Sequence, residues 1–448
     1  MKKLIQAFLF VALSILIVWI LKQEFPKNSG ALNFFLVFLF LDAYLWVETN
    51  NRIRTFRPWC RITLIILYWL PMLLVVAGVI YGFFDSFYAW PRFVKTYLTS
   101  FVLIAYISKS FPIIFMLLKH LFQGILLLLS RFSIQITPWI LKTRIFYIMG
   151  WAIGLSVFII MVAGMVFWEH EFRIRTTQVT LDEMPCNFDG LTIVQISDLH
   201  LGTWNRASEL EELVEEVNAL NPDLVFYTGD ICNFTTAEVW PFQEILAKIN
   251  ARNGIYAILG NHDYGDYTTW PSVDAKEQNM KELERFYLEM GWHLLRNENQ
   301  IIVNGEDSLA IIGVENWGVT SRFQRLANLP EAMHGCEEVS TKLLLSHDPS
   351  YWDSIVRKQY PGIGLTFSGH THGGQIGIEF RNFKWSIVQY LYSQWAGLYQ
   401  QAHHDKPSQY LYVNRGAGTI GYAGRIGILP EITLIGLQCG QNVNDRKE

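Results

Sequence analysis

LTIVQISDLHLG, residues 191–202, opens as an apolar, β-branched run and closes on a carboxylate and an imidazole two residues apart. The run up to Ser197 reads as a buried strand, so Asp198 and His200 stand where that strand ends. The pattern recurs downstream. DLVFYTG (223–229) is followed by Asp230, IYAILG (255–260) by Asn261, His262 and Asp263, KLLLSH (342–347) ends on His347, and GLTFSG (364–369) leads into His370 and His372. Residues 208–221 (SELEELVEEVNALN) read as a helix starting at a Ser208 cap; a second helix is expected around 276–290, and LAIIGV (309–314) adds a strand. Strands alternating with helices predict an α/β layered domain, in which carboxyl strand ends converge on one crevice.

Each cluster has an ordinary reading by itself. Asp-x-His after a strand serves as a turn or cap, Asn-His-Asp as a capping cluster, and a single histidine as a satisfied interior side chain. Together they put carboxylate, imidazole and amide donors at five strand ends, which suits a pair of borderline cations and has no counterpart in core packing. The oxygen- and nitrogen-rich set without thiolate favours two divalent ions of Mn, Fe or Zn. Cys232, close to Asp230, reads as a small buried residue.

The chain before this region has a different character. Of 448 residues 51% are hydrophobic, and apolar stretches dominate the first 168 or so. Residues 4–21, 32–47, 62–84, 97–118 and 145–167 are each near the length needed to cross about 30 Å of hydrocarbon. Five spans are therefore expected, the first an uncleaved helix, since QEFPKN after it offers no small-residue cleavage site. Lys109 and Pro112 interrupt the fourth, and a mid-membrane charge needs a partner or a route to the interface. Residues 122–139 are expected as an interfacial helix. Lys and Arg gather at 2–3, 52–61 and 119–144, so these loops are read as cytoplasmic and everything after Phe167 as extracytoplasmic. Apart from Asp42 and Lys109 the spans lack paired ionisable residues, which favours an anchor over a transporter. The expected division is 1–168 transmembrane region, 169–189 linker and 190–440 soluble domain. A net charge of −4 gives no basic excess for a nucleic-acid partner. The five cysteines have no repeated spacing, so neither a zinc ribbon nor a dense disulfide scaffold is indicated; one or two bridges remain compatible.

The ordered blocks DLH (198–200), GD (229–230), GNHD (260–263), SH (346–347) and GHTH (369–372) resemble the calcineurin-like metallophosphoesterase superfamily. SDLHLG, GNHD, LLSHDP, GHTHGGQ and the late NRGAGT and PEI segments are similar to its membrane-anchored bacterial branch of the YkuE and YaeI type, over residues 190–434. The resemblance implies a two-sheet sandwich flanked by helices, a metal-dependent phosphoric ester hydrolase, and a residue-by-residue site. Asp198, His200 and His372 would hold one metal, Asp230 would bridge both, and Asn261, His347 and His370 would hold the second. His262 would stand near the leaving oxygen as general acid, with Asp263 either orienting its ring or capping a helix.

Two stretches bear on substrate. Residues 379–400 are crowded with aromatics and carry Arg381 and Lys384; they read as lid packing or as a lipid-facing segment that meets a phosphate headgroup. YGDYTTW (264–270) lines the pocket or packs over it. The leading reading is a membrane-anchored phosphoesterase acting on a phosphate ester, phosphodiester or pyrophosphate, of a small molecule or a lipid-linked substrate. The rivals are a catalytically silent phospho-ligand sensor or scaffold and, for a cytoplasmic domain, a UDP-diacylglucosamine-type pyrophosphatase.

Overall fold

The computed structural model describes residues 12–20, 22–23, 29–82, 90–130, 144–320, 323–381, 383–402 and 407–440. The chain divides into two compact units, Met1–Ala163 and Gly164–Glu448.

Four long apolar helices make up most of the described part of the N-terminal region: α1 (Ser29–Ile53), α2 (Pro58–Tyr81), α3 (Arg92–Ser130) and α4 (Arg144–Phe167). All four are long and apolar enough to cross a membrane. Phe34, Trp59, Leu67 and Leu155 point outward, as lipid-facing side chains do. Of the span expected at 4–21, residues 12–20 are described and helical, and the rest lies outside the described residues. The interfacial helix expected at 122–139 is corrected for its first part: residues 122–130 continue α3 without a break, and the rest lies outside the described residues. At about 1.5 Å per residue α3 is longer than the hydrocarbon is thick. Gly150 and Gly154 of α4, a G-x-x-x-G pair, let its backbone approach α3; a Cβ at Gly150 would meet Pro112 Cα at 2.7 Å, and one at Gly154 the Ser108 carbonyl at 2.5 Å.

Lys109 does face a partner. Its Nζ lies 2.7 Å from Asp42 Oδ1 and 2.7 Å from the Tyr68 carbonyl, and Tyr106 donates its hydroxyl to Asp42 Oδ2 at 2.7 Å. Both carboxylate oxygens and the ammonium are thus satisfied away from lipid, which is what makes a buried ion pair tolerable.

In the second unit two six-stranded mixed sheets stack face to face. The first has the order β1 (Arg173–Leu181), β14 (Glu431–Cys439), β2 (Thr192–Ile196), β3 (Leu224–Tyr227), β4 (Ile255–Ala257) and β5 (His293–Leu294). The second has the order β12 (Gly397–Gln401), β13 (Gln409–Val413), β9 (Ile363–Ser368), β8 (Thr341–Leu345), β7 (Asp307–Gly313) and β6 (Glu298–Asn304). Strands β2 to β5 run parallel, as do β13, β9, β8 and β7. The central strands β2, β3, β4 and β8 are buried at nearly every position, whereas the outer strands β1, β6 and β12 carry polar, exposed residues. Ile193, Leu224, Phe226, Leu343, Leu345 and Phe367 fill the space between the sheets. Their neighbours Val194, Ile196, Val225 and Tyr227 turn outward under the helices α5 (Ala207–Ala219) and α6 (Val273–Glu289).

Two expectations change here, and one left open is decided. The stretch expected as a linker, 169–189, contains β1, which pairs along its whole length with β14 and belongs to the first sheet. Ser208 does not cap α5: the cap position is Arg206, without a side-chain hydrogen bond, whereas α6 is capped by Ser272, whose Oγ accepts from the Ala275 amide at 3.1 Å. Cys186 and Cys439 form a disulfide that ties the segment after β1 to the end of β14, a pairing that sequence spacing did not indicate.

Candidate metal centre

The polar strand ends of both sheets converge. β2 delivers Asp198 and His200, β3 Asp230, and β4 Asn261 and His262 from the first sheet; β8 delivers His347 and β9 delivers His370 and His372 from the second. Backbone hydrogen bonds lock these ends together beyond the strands. Asp198 N donates to the Gly229 carbonyl at 2.9 Å, His200 N to that of Asp230 at 3.1 Å, and Gly369 N to that of His347 at 2.9 Å.

The turns that aim the side chains are strained. Asp198, His200, Asp230, His370 and His372 take φ of 53, 47, 58, 69 and 51°, in the left-handed region that non-glycine residues avoid. All five gather at one crevice. The glycines beside them have a packing reason. A Cβ at Gly369 would lie 2.0 Å from Ser197 Oγ and 2.4 Å from Asp198 Oδ2; one at Gly260 would lie 2.2 Å from Asp230 Oδ1. Gly373 and Gly374, at φ of 57 and 76°, make the turn itself.

The ligand-type atoms fall into two groups, Asp198 with His200 and His372, and Asp230 with His347 and His370; within each group they lie within 4.8 Å of one another. His200 Nδ1 lies 3.1 Å from the Cys232 carbonyl and His347 Nδ1 2.7 Å from that of Thr228. A carbonyl only accepts, so each Nδ1 carries a proton and each Nε2 is the ring atom turned inward. Those nitrogens face neighbouring imidazoles and the Asp230 carboxylate. His200 Nε2 is 3.1 Å from His372 Nε2 and 3.6 Å from Asp230 Oδ2, and His347 Nε2 is 3.2 Å from the same carboxylate oxygen. Burial drives His200 down to about 3 and His372 well below the ordinary imidazole range. Burial pushes Asp198 up to about 7. His347 moves the other way, to about 10, because the Asp230 carboxylate outweighs the burial that would lower it. Burial would also raise Asp230, but His347, His262 and His200 hold it well below the usual carboxylate range. Buried imidazole nitrogens grouped with carboxylate oxygens are a donor set that fits divalent cations, which would take the place of the proton His347 otherwise holds. Asn261 fits the same test: its Nδ2 donates to the Tyr267 hydroxyl at 2.8 Å, while its buried Oδ1 finds no donor among the described residues.

His262, like His370, is half-buried, whereas His200, His347 and His372 are buried. Its Nδ1 donates to the Asn233 carbonyl at 2.8 Å, its face stacks on Tyr267 with 4.1 Å between ring centres, and its backbone N donates to Asp230 Oδ1 at 2.8 Å. Nε2 is therefore the atom available for proton transfer. Asp263 neither orients this ring nor caps a helix. Its Oδ2 accepts from the backbone N of Asp230 and Gly260, both at 2.8 Å, and its Oδ1 from Ile231 and Cys232 at 2.9 and 3.1 Å. It staples the β3 turn that carries Asp230.

Sequence reasoning missed Tyr392, whose hydroxyl is 2.8 Å from His370 Nε2, and Asn233, which carries no motif because only its carbonyl acts. Asp348, in the LLSHDP block, lies 3.7 Å from His370 Nε2. Of the stretch at 264–270, Tyr267 reaches the site, whereas Trp270 donates to the Gly265 carbonyl and the buried Tyr264 accepts from Asn316 N. Lys384 turns inward to the Ala396 carbonyl and is not free to meet a headgroup.

Residues 191–374 match the profile of the calcineurin-like phosphoesterases, and residues 28–167 that of a probable calcineurin-like phosphoesterase transmembrane domain. A zebrafish (Danio rerio) transmembrane protein with metallophosphoesterase domain is 30% identical over 288 residues, covering 62% of this chain and 60% of that one. The uncharacterized metallophosphoesterase YkuE of Bacillus subtilis is 29% identical over 274 residues, covering 59% and 86%. The UDP-2,3-diacylglucosamine pyrophosphatase LpxG of Chlamydia muridarum is 29% identical over 266 residues, covering 51% and 78%. The chain spans 60% of the length of the zebrafish protein and of a similar bovine one. Residues 191–374 therefore form a calcineurin-like phosphoesterase domain, joined in one chain to a probable calcineurin-like phosphoesterase transmembrane domain over residues 28–167.

Proposed function

We propose that this protein hydrolyses phosphoric esters at a dinuclear metal site held by residues 190–440, on the extracytoplasmic face of the membrane to which residues 1–168 anchor it. The observation that carries the reading is the pair of three-residue ligand groups with the Asp230 carboxylate within 3.6 Å of His200 and 3.2 Å of His347, one from each sheet. Asp198, His200 and His372 would hold one cation, Asn261, His347 and His370 the other, and Asp230 would bridge them. Such a pair supplies Lewis acidity toward phosphoryl oxygens and an acidified water for in-line attack. His262 delivers a proton from Nε2 to the departing oxygen, with Nδ1–H held on Asn233 so that the ring presents one edge. Tyr267 restrains the plane of that ring and, through its hydroxyl, the amide of Asn261.

The orientation rests on the four described helices alone. Arg52, Arg54, Arg57 and Arg61 lie at the turn between α1 and α2; Arg131 and Lys142 fall in the sequence between α3 and α4, and Arg144 opens α4. With those turns cytoplasmic, α4 ends on the other side. The Cys186–Cys439 disulfide supports the same side, since such bridges persist in oxidising compartments.

The test is a metal-dependent activity screen of the purified full chain with Mn, Fe and Zn. It would use a chromogenic monoester, a chromogenic diester and a nucleotide-sugar pyrophosphate, paired with a C-terminal topology reporter. Metal-dependent turnover abolished by chelation is expected. No turnover on any class with two metals bound would leave a phospho-ligand sensor. A cytoplasmic reporter would reverse the orientation and favour the pyrophosphate class, to which the similarity to LpxG also points.

A further inference from the structure

The ribbon of β10 (Gly377–Phe380) and β11 (Phe383–Ser386) follows the site directly in sequence, and its two faces are the reverse of a soluble hairpin. The cross-strand pairs are Ile378 with Trp385, Glu379 with Lys384 and Phe380 with Phe383. Side chains alternate across a strand, so Ile378, Phe380, Phe383 and Trp385 share one face and Glu379 and Lys384 the other. The polar face is the one turned to the domain. Glu379 receives Arg175 and Arg415, at 2.6 and 2.9 Å, and Lys384 reaches the Ala396 carbonyl. The apolar face is turned away, its four side chains 38 to 66% exposed. Ile387, Tyr390 and Leu391 extend it along the next turn, at 66, 73 and 78%. A single exposed apolar side chain means little, but a contiguous patch of this kind marks a surface that is covered in use.

We propose that this face docks on the surface of a lipid bilayer. Three observations select a bilayer as the occupant. The same chain crosses a membrane several times, so a bilayer is held at high effective concentration beside the domain. The patch mixes Phe, Trp and Tyr with Ile and Leu, and Arg381 sits exposed at the ribbon turn with its guanidinium over the Phe380 ring at 5.3 Å. Aromatics beside a cation are the composition of the headgroup boundary. The patch is also continuous with the site, because Tyr392, the residue after Leu391, places its hydroxyl 2.8 Å from His370 Nε2. Docked this way, the mouth of the site opens at headgroup depth, and the substrate class is a phosphoester carried by a membrane lipid. This last step rests on the hydrolase reading above; the docking does not.

The experiment uses the full chain in proteoliposomes, with Cys60→Ser to remove the partly exposed thiol and an environment-sensitive fluorophore on Phe383→Cys or, as control, on the exposed Glu306→Cys. Headgroup-proximal spin-labelled lipid is expected to quench the 383 label about fivefold more than the 306 label. Equal quenching at the two positions overturns the docking. So does a 383 label shielded from lipid whose self-quenching rises with protein density, which would assign the face to a second copy of the chain. In parallel, the Ile378→Ser, Phe380→Ser, Phe383→Ser triple variant is expected to lose about tenfold in turnover of a lipid phosphodiester in vesicles, with turnover of a soluble chromogenic diester unchanged. Equal loss on both substrates, or on neither, overturns the lipid-substrate step. A parent protein inactive on both substrates would defeat the hydrolase reading and the lipid-substrate step with it, while the label still decides the docking.

Discussion

Asp263→Asn isolates the staple under Asp230. The wild-type carboxylate accepts four buried backbone N–H groups, two on each oxygen, at 2.8 to 3.1 Å. Asparagine keeps one oxygen and sets an NH2 group against the other two donors, so two charge-assisted bonds are lost. At about 1.5 to 3 kcal/mol each, the perturbation is about 3 to 6 kcal/mol. A domain with typical stability, about 5 to 15 kcal/mol, can remain folded under that load, because part of it relaxes by moving the loop. The loop that moves is 230–232, whose Asp230 stands at φ 58° and contacts both histidine groups. If about 1.4 to 2.8 kcal/mol of the cost falls on the geometry of Asp230, metal affinity drops about 10- to 100-fold. The assay is metal titration by calorimetry on detergent-purified full chain, with metal content by mass spectrometry and folding checked by circular dichroism. Parent-like affinity for two equivalents in a folded Asp263→Asn protein would refute the staple. Unchanged metal content with a shifted acid limb of the pH–rate profile would return Asp263 to the role of orienting His262.

His262→Ala should lower kcat by about 10² to 10⁴ with metal stoichiometry intact, since its ring reaches no ligand group through Nδ1; parent-like kcat would remove it from the mechanism. Gly369→Ala places a methyl 2.0 Å from Ser197 Oγ and 2.4 Å from Asp198 Oδ2, and should cost about 1 to 3 kcal/mol of stability, read as a lowered Tm, together with weaker metal retention. Glu169 is buried beside Glu209, and burial pushes its carboxyl up to about 8. Its folded pKa lies above the unfolded value, so its contribution to stability is complete below about pH 4 and is lost as pH rises towards 8. Glu169→Gln should flatten the fall in Tm across that window, and the parent should show a protonated carboxyl band in infrared spectra at neutral pH that the variant lacks.

Much of the site was readable along the chain because each donor stands directly after a strand, and a strand is a local pattern. Asp198, His200, Asp230, Asn261, His262, His347, His370 and His372 could be named from that rule, and the glycines beside them from the same blocks. What could not be read was any role carried by backbone or by packing. Asn233 acts through a carbonyl, and Tyr392 sits 22 residues from His370 in a stretch with no periodic signal. Asp263 looked like a partner of its neighbour His262 because adjacency suggests contact, yet successive side chains diverge at a turn and Asp263 points back beneath β3.

By itself, then, the order of residues determined the elements, their apolar faces and the list of candidate donors, since these follow from alternation and from what ends a strand. The tertiary structure alone decided that β1 joins the first sheet beside β14, that Cys186 meets Cys439 across 253 residues, and that donors from both sheets sort into two groups around Asp230. It also decided which face of the β10–β11 ribbon looks outward, because alternation defines two faces without saying which is buried. Contacts between strands distant in the chain depend on how whole sheets stack, and no local pattern encodes that distance.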